Sequence, residues 1–318
     1  MSPRRKPPAG HEPPTTEADH VAPSKPMPSD PAQRPLPTRE LLEGVTALPV
    51  LPHVFGLVLE RLEDQRTSAR DLEKLIRQDQ SLCSRVLAAA NSAYYGFARQ
   101  VTTVQRATLV LGFDELRRIC LGAGLGDFFS ALGLKDDIDV AGLWLHSLAV
   151  AEAARLLADS LTGGQKEDAF TAGLLHDLGK VVLAARLPRA YATVRELMRR
   201  RGLSWLAAEE LLGLDHQDLG LYLAEHWGLP PMLGEVMARH HQPVRDLSYW
   251  PVVAVVHLAD CLVHLVEAGL GWAADPAGPE PWPEVLAAFN LDGDKLDLLA
   301  QRVAVRLAEL NQVWPGLD

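Results

Sequence analysis

The spacing of apolar residues constrains the fold of this chain more than any other feature. From about residue 38 onward, apolar side chains recur every three or four positions, as in TSARDLEKLIRQDQ, where Leu72, Leu75 and Ile76 share one face. No stretch shows a convincing alternation of apolar and polar residues with the period of two that is typical of a half-buried strand. The pattern therefore predicts an all-α, two-lobed helical bundle with short connections.

The same spacing gives expected helix boundaries. Thr67 or Ser68 is expected to cap the first clear helix, and a second helix is expected to end near Gly96. The Pro- and Gly-rich stretch 271–284 is predicted to be a loop. Further helices are expected over 104–111, 114–131, 140–160, 166–185, 189–201, 204–213, 216–227, 231–240, 250–268 and 294–310.

Changes in composition divide the chain into four segments. Residues 1–37 hold eleven of the 23 prolines and almost no large apolar side chains, so a disordered tail is expected there. The polar stretch GLKDDID interrupts the apolar pattern and marks a boundary between two helical lobes, 38–135 and 136–270. Residues 271–318 are expected to hold the Pro-rich loop and a C-terminal helix.

Charge and cysteine content narrow the class of protein. The formal net charge of −10 argues against non-specific nucleic-acid binding, which depends on a basic surface. Cys83, Cys120 and Cys261 are widely spaced, so neither a disulfide framework nor a cysteine-based zinc site is expected, and a reducing cytoplasm fits best. The most apolar window, 252–266, is too short to span a bilayer, so no membrane span is expected.

One apolar run carries ionisable side chains. The stretch TAGLLHDLGKVVLAA, residues 171–185, places His176, Asp177 and Lys180 among leucines and valines. Burying an unpaired charged group is costly, so such groups are usually paired, hydrogen-bonded or bound to a metal ion. Two hypotheses stay open at this point: the site of a metal-dependent hydrolase, or a buried ion pair in a protein that transmits signals.

Other histidines and carboxylates complete a candidate ligand set. Imidazole and carboxylate groups together suit Mn, Fe, Ni or Zn better than Ca. On one continuous helix His176 and Asp177 would point roughly 100° apart, so Asp177 would either share one ion with His176 or bridge two. Lys180 would meet a substrate phosphate as a point charge. The candidate metal ligands are His146, His176, Asp177, His216, His240, His241 and Asp260.

Each of these groups also has a purely structural interpretation. Asp215 can cap a helix that begins at His216. The pair His240–His241 can close a helix, where cationic side chains suit the helix dipole. Asp260 lies at helical spacing from two other histidines and can form a local pair with them. The order of the whole set is therefore more informative than any single member.

That order, with the motifs HDLGK, HH and VVHLAD, resembles the HD phosphohydrolase superfamily. The N-terminal lobe narrows the resemblance, because LPVLPHVFGLVLERL, LEKLIRQDQSLCSRVLAAANSAYYG and VTTVQRATLVLGFDELRRI resemble the HDOD domain, the HD-related output domain of bacterial signalling proteins. LDHQDLGLYLAEHWGLPPML and HHQP also fit that family. The resemblance covers about residues 38–268 and implies an HDOD lobe followed by an HD-like lobe.

The resemblance implies a regulatory role. HDOD domains are generally regarded as regulatory, are associated with bacterial signalling, motility and cyclic-dinucleotide networks, and mostly lack part of the metal-ligand set. The expected function is that of a stand-alone HDOD signal-transduction protein that acts through contacts with a signalling partner. A bound metal or a nucleotide second messenger is its expected ligand, and direct nucleic-acid binding is not expected.

The nearly complete ligand set keeps an enzyme as the alternative. The chain would then be a metal-dependent HD-type phosphohydrolase or a cyclic-dinucleotide phosphodiesterase, with one or two ions bound and with Asp177 and Lys180 in catalysis. The stretch HHQPVRDLSYWP lacks the Gly-Tyr-Pro signature of the HD-GYP phosphodiesterases. Gly142 stands where trinuclear members carry a glutamate, so no third ion is expected.

Overall fold

The computed structural model describes residues 55–57, 68–98, 100–134, 138–270 and 278–313. All of them fall in one unit of the chain, Pro35–Asp318. The expected disordered tail over 1–37 and the LPVLP stretch lie outside the described residues. The division into lobes at 38–135 and 136–270 stays a prediction.

Four helices form the first part of the described chain: α1 Ala69–Gln78, α2 Gln80–Ala90, α3 Val104–Leu111 and α4 Phe113–Ala131. Ser68 caps α1, and its backbone N–H donates to the Asp71 carboxylate at 3.1 Å. Asp79 ends α1 and begins α2, where its side chain accepts a hydrogen bond from the N–H of Leu82 at 2.9 Å. Short polar residues at these junctions satisfy the N–H groups that a helix start leaves free.

Helix α2 ends at Ala90 and not near Gly96 as the spacing predicted. The reason is Asn91, whose side-chain amide donates to the carbonyl oxygens of Leu87 and Val101 at 2.8 and 2.7 Å. Its side-chain oxygen accepts from the N–H of Val101 at 2.7 Å. An asparagine that binds backbone groups in this way competes with helix continuation, so the chain turns toward α3.

Ten further helices follow among the described residues: α5 Val140–Leu161, α6 Lys166–Leu175, α7 Leu178–Arg186, α8 Pro188–Arg201, α9 Trp205–Leu212, α10 His216–Trp227, α11 Pro231–Arg239, α12 Trp250–Leu270, α13 Pro283–Ala288 and α14 Gly293–Val313. The described residues contain no strand, and the predicted all-α bundle is confirmed. Helices α5, α6 and α12 pack against one another, and α10 packs between α7 and α11. Helix α13 begins inside the predicted loop 271–284, at a proline that suits the first helical position.

The single helix predicted over 166–185 is wrong, because the chain breaks between α6 and α7. His176 caps the end of α6, and its Nδ1 lies 2.7 Å from the carbonyl oxygen of Gly173. Asp177 follows in a non-helical conformation, with φ −100° and ψ 11°. The break removes the angular limit that one continuous helix would place on these two side chains.

Gly179, in the first turn of α7, explains how closely α7 approaches α10. A side chain at this position would overlap the backbone carbonyl of His216, so only glycine allows the two helices to touch backbone to backbone. Gly179 therefore makes room for the backbone of α10.

Two helices, α5 and α12, are long and apolar enough to cross a membrane by length and composition alone. Their most apolar windows are 56% and 72% buried inside the protein. Packing against other helices therefore accounts for their composition. The predicted absence of a membrane span and the predicted cytoplasmic location stay predictions.

A buried ion network joins α14 to α5 and to the first part of the chain. Nε of Arg306 donates to the Glu152 carboxylate at 3.0 Å, and Nη1 of Arg306 donates to the hydroxyl of Tyr94 at 2.6 Å. Nε of Arg118, on α4, lies 4.0 Å from the other oxygen of Glu152. Because buried charges are tolerated when paired, this network holds three segments together without leaving Glu152 unpaired.

Candidate metal centre

All seven predicted ligands converge between α5, α6, α7, α10, α11 and α12. Two lie inside helices, and five lie at helix ends or in a break, where the backbone can aim a side chain inward. The side chains are between 0% and 11% exposed. They are His146 on α5, Asp260 on α12, His176 and Asp177 between α6 and α7, His216 at the start of α10, and His240 and His241 after α11.

One oxygen of Asp177 faces a triangle of ligand atoms. Oδ1 lies 3.4 Å from Nε2 of His216 and 3.5 Å from Nε2 of His240, and these two nitrogens lie 3.4 Å apart. Ligands that bind a metal tetrahedrally at about 2.1 Å lie about 3.4 Å from one another. With His241, these residues place one ligand atom each within 4.8 Å of the others, and we call them the His216 site.

The second oxygen of Asp177 faces another group, the His146 site, formed by His146, His176, Asp177 and Asp260. Oδ2 lies 3.4 Å from Nε2 of His176 and 3.9 Å from Nε2 of His146. Nε2 of His146 lies 3.2 Å from Oδ1 of Asp260. If both groups held an ion, Asp177 would contribute Oδ1 to one and Oδ2 to the other, which is one of the two arrangements that the sequence left open.

Buried polar atoms without a hydrogen bond indicate that the His216 site suits a metal ion. Both ring nitrogens of His241 and Oδ1 of Asp177 are buried and make no hydrogen bond within the described stretches. Buried polar atoms without a partner are rare and costly, and an ion would satisfy them. A set of imidazoles and carboxylates suits a divalent transition metal such as Mn, Fe, Ni or Zn.

At neutral pH the protonation states of Asp177, His240 and His241 suit a metal. Burial alone would raise the pKa of Asp177, but the charge of Lys180 and the neighbouring His176 hold it well below its usual range. Burial lowers the pKa of His240 to about 4. Burial and the nearby His240 also lower the pKa of His241. The carboxylate is therefore ionised and both rings are neutral, which are the forms that bind metal.

Two other ligands favour the protonated ring. Burial would lower the pKa of His146, but Glu267 and Asp260 raise it to about 10. Burial would also lower the pKa of His216, but Glu209 raises it. A metal would therefore displace a proton from each of these two rings.

Lys180 lies beside the centre as the partner of Asp177. Its Nζ is 2.6 Å from Oδ2 of Asp177, and the ammonium also lies 5.2 Å from the ring centre of Trp205. Both side chains of the ion pair are less than a tenth exposed. The charge that the sequence suggested for a substrate phosphate is therefore directed at Asp177 in this conformation.

Two supporting residues were missed by the sequence reasoning. Oε2 of Glu209, on α9, lies 2.7 Å from Nδ1 of His216, and Nδ1 of His257 lies 2.8 Å from the carbonyl oxygen of His240. A carboxylate on the far nitrogen of a metal-binding histidine fixes the orientation of the ring. Glu209 lies on the buried face of α9. A glutamate at such a position indicates a buried polar partner, because an apolar core alone would not require a charged residue there.

Comparison with known proteins identifies the family to which this chain is similar. The HDOD domain family matches residues 48–243. An HDOD domain protein of unknown function from Geobacter sulfurreducens is 26% identical, with a TM-score of 0.74, over 87% of this chain and 97% of that chain. A protein from Marinobacter aquaeolei VT8, whose name proposes a role in signal transduction, is 26% identical, with a TM-score of 0.66, over 86% of this chain and 60% of that chain.

A curated relative adds sequence similarity without a function. An uncharacterized protein from Treponema pallidum (strain Nichols) is 24% identical over 231 residues, which are 71% of this chain and 44% of that protein. The chain spans less than half the length of the curated relatives that it matches. The family match itself covers well over half of this chain, including the first-lobe motifs and every predicted ligand except Asp260. The chain therefore belongs to the HDOD domain family, as the sequence predicted.

Proposed function

We propose that this chain is a regulatory HDOD protein that binds divalent transition-metal ions in its HD-type centre and acts through contacts with a signalling protein. The observation that carries the proposal is the position of Asp177, whose two oxygens each face a separate group of histidines at 3.4 to 3.9 Å. Ions bound there would link ligands from six helices or helix junctions. Metal binding would therefore bias how these helices are held together, which is what a regulatory ligand needs to do.

Burial of the centre favours regulation over turnover. A catalytic metal keeps a coordination position that substrate can reach. Here the ligand side chains are at most 11% exposed, and Lys180 is paired with Asp177. Both features suit a metal that holds the fold in one state.

The signalling part of the proposal rests on the family and on similarity to the Marinobacter protein. A nucleotide second messenger is a further candidate ligand. A metal-dependent centre in a regulatory protein would let metal or nucleotide occupancy change the surface that a partner reads.

Metal content tests the proposal. We expect the full chain, purified without added metal and then supplied with Mn²⁺ or Zn²⁺, to hold about one to two equivalents in the His216 and His146 sites. Asp177→Asn should lose most of the bound metal, because the His216 site and the His146 site both use that carboxylate. Asp159→Asn, an exposed change on α5, is the matched control and should bind as the unchanged chain does. Less than about 0.1 equivalent in the unchanged chain, with no uptake, would contradict the proposal.

A metal-dependent phosphohydrolase or cyclic-dinucleotide phosphodiesterase is the second candidate. The complete ligand set favours it, with Lys180 close enough to steady a phosphate if it left Asp177. A bound ion would lower the pKa of water and polarise a phosphoryl oxygen. Turnover of a cyclic dinucleotide or a generic phosphodiester by the metal-loaded chain, abolished in Asp177→Ala, would replace the regulatory proposal. Metal binding without turnover would support it.

A further inference from the structure

We infer that His146, His264 and Glu267 form an outer cation site beside the metal centre, and that this site takes a divalent transition metal such as Zn²⁺. Of these three residues, only His146 belongs to the predicted ligand set. The inference extends the proposed metal centre by one ion and rests on it for the orientation of His146. The outer site differs from the proposed centre in its ligand residues, in the solvent exposure of those residues and in the expected effect of substituting them.

The spacing of the three ligand atoms fits an ion. Nδ1 of His146 lies 3.3 Å from Oε2 of Glu267, and Nδ1 of His264 lies 3.9 Å from the same oxygen. One ligand atom from each residue lies within 4.8 Å of the others. A charge-assisted hydrogen bond would be about 2.8 Å long. Nδ1 of His146 lies within hydrogen-bonding reach of both oxygens of Glu267, at 3.4 and 3.3 Å, which is longer than that and close to the roughly 3.4 Å that separates two ligands of one tetrahedral ion.

His146 faces both sites with different atoms. Its Nε2 is directed at Asp260 in the His146 site, at 3.2 Å, whereas its Nδ1 is directed at Glu267. The rings of His146 and His264 are adjacent, with their centres 4.7 Å apart. One imidazole can therefore serve an inner ion through Nε2 and an outer ion through Nδ1, where the ion takes the place of the ring proton.

The chain holds the outer residues in place. Asp260, His264 and Glu267 follow one another at i, i+4 and i+7 on α12, so they share a helix face. Gly278 backs His264, because a side chain at 278 would lie only 2.7–2.8 Å from the Cδ2 and Cβ atoms of His264. The backbone at 278 therefore packs closely against the His264 ring, whose Nδ1 lies 3.9 Å from both Glu267 and Asp260.

The expectation that no third ion binds rested on Gly142. That position is taken up by the start of α5, where the N–H of Gly142 donates to the carboxylate of Asp139 at 2.8 Å. A side chain at 142 would overlap that carboxylate. The outer site does not need a glutamate at position 142, because its glutamate is Glu267 on α12.

The outer site also lies nearer to solvent than the inner ones. His146, Glu267 and His264 are 11%, 13% and 14% exposed, whereas His176, His216 and His240 are completely buried. Two histidines and one glutamate are a three-ligand set that leaves a fourth position for water. An ion held in this way should bind more weakly and exchange faster than the inner ions.

Counting bound Zn²⁺ in variants of the full chain tests the inference. Metal-depleted protein is dialysed against Zn²⁺, and bound metal is measured by elemental analysis. His264→Ala and Glu267→Gln should each bind about one equivalent less than the unchanged chain. Leu265→Ala, at a 60% exposed neighbouring position, is the matched control and should lose none. Circular dichroism checks that each variant is helical, and His264→Asn replaces the alanine variant if that variant unfolds.

The outcomes separate this inference from the proposed function. Equal Zn²⁺ content in His264→Ala, Glu267→Gln and the unchanged chain would overturn the outer site while leaving the inner centre intact. Loss of every ion in folded Glu267→Gln would also overturn it, because Glu267 would then only position His146. If Asp177→Asn retains all the metal and Glu267→Gln loses one equivalent, the outer site stands and the inner proposal fails.

Discussion

Oδ1 of Asp177 lies 3.4 Å from Nε2 of His216, although the two residues belong to different helix junctions. The other oxygen of the same carboxylate lies 2.6 Å from Nζ of Lys180. Both oxygens of this buried carboxylate therefore face imidazoles, and Oδ2 also pairs with the ammonium of Lys180. Both the stability of the metal-free chain and its metal binding should depend on this residue.

The partner of Asp177 can be removed directly. In Lys180→Met the apolar stem is kept, but Asp177 loses its nearest positive charge in a buried setting. We expect the metal-free variant to lose about 3–5 kcal/mol of unfolding free energy, measured by chemical denaturation. Added Zn²⁺ should reduce the loss, because an ion supplies positive charge to the same carboxylate.

Lys74→Met is the control for this change. Lys74 is 74% exposed and pairs with Asp71 at 3.2 Å, so its loss should cost less than about 1 kcal/mol. If both variants were equally stable, the buried pair would contribute no more than a surface pair, and its assigned role would be wrong.

Gly179→Ala tests the contact between α7 and α10. The added methyl group would overlap the backbone carbonyl of His216, so the helices must separate. We expect a loss of about 3 kcal/mol, at the upper end for overpacked positions, together with weaker metal binding because His216 moves. Gly164→Ala, where an added methyl group meets open space, should change stability by less than about 0.5 kcal/mol. A thermal melt of Gly179→Ala that matches the unchanged chain would rule out the backbone contact.

Arg306→Met tests the link between α14 and α5. The variant removes the donor of the 3.0 Å hydrogen bond to Glu152 and leaves a buried carboxylate partly unpaired, at an expected cost of about 3 kcal/mol. Gln301→Met, at an exposed position on α14, should have an effect within about 0.5 kcal/mol. Chemical denaturation compares the two, and equal midpoints would show that the network does not stabilise the fold.

Glu209→Gln tests whether the glutamate orients His216. The substitution keeps the size of the side chain but removes the charge that faces Nδ1 of His216 at 2.7 Å. Loss of such a partner weakens metal binding by about 10- to 100-fold. Glu210→Gln, the exposed neighbour, should bind metal as the unchanged chain does. A Zn²⁺ titration that shows the same affinity in both variants would assign Glu209 a purely structural role.

Much of the fold could be predicted from the sequence because its signals are local. Helical spacing around Leu72 and Ile76 and the cap at Ser68 depend on residues within one or two turns. The end of α2 was misplaced because Asn91 binds the carbonyl of Val101, which follows in the next connection. The break after His176 was missed because His176 and Asp177 stand in a continuous apolar helical pattern with no proline or glycine at the break itself.

The candidate ligands were identified from their order, whereas their arrangement required coordinates. Asp215 caps α10, as the sequence indicated, because its side chain accepts a hydrogen bond from the N–H of Gln217 at 2.8 Å. The same junction directs His216 at Asp177, so capping and ligand placement coexist. Glu209 and Glu267 were missed because a single carboxylate has no motif of its own until the histidine that it faces is known.

The most direct test of the metal centre is anomalous X-ray scattering from crystals grown with Zn²⁺ or Mn²⁺. A peak about 2.0–2.2 Å from Oδ1 of Asp177 and from Nε2 of both His216 and His240 is the predicted result. A second peak between Oδ2 of Asp177 and His176 would support the bridging arrangement. The absence of any peak within coordination distance of Asp177, in crystals whose solvent contains the metal, would contradict the account.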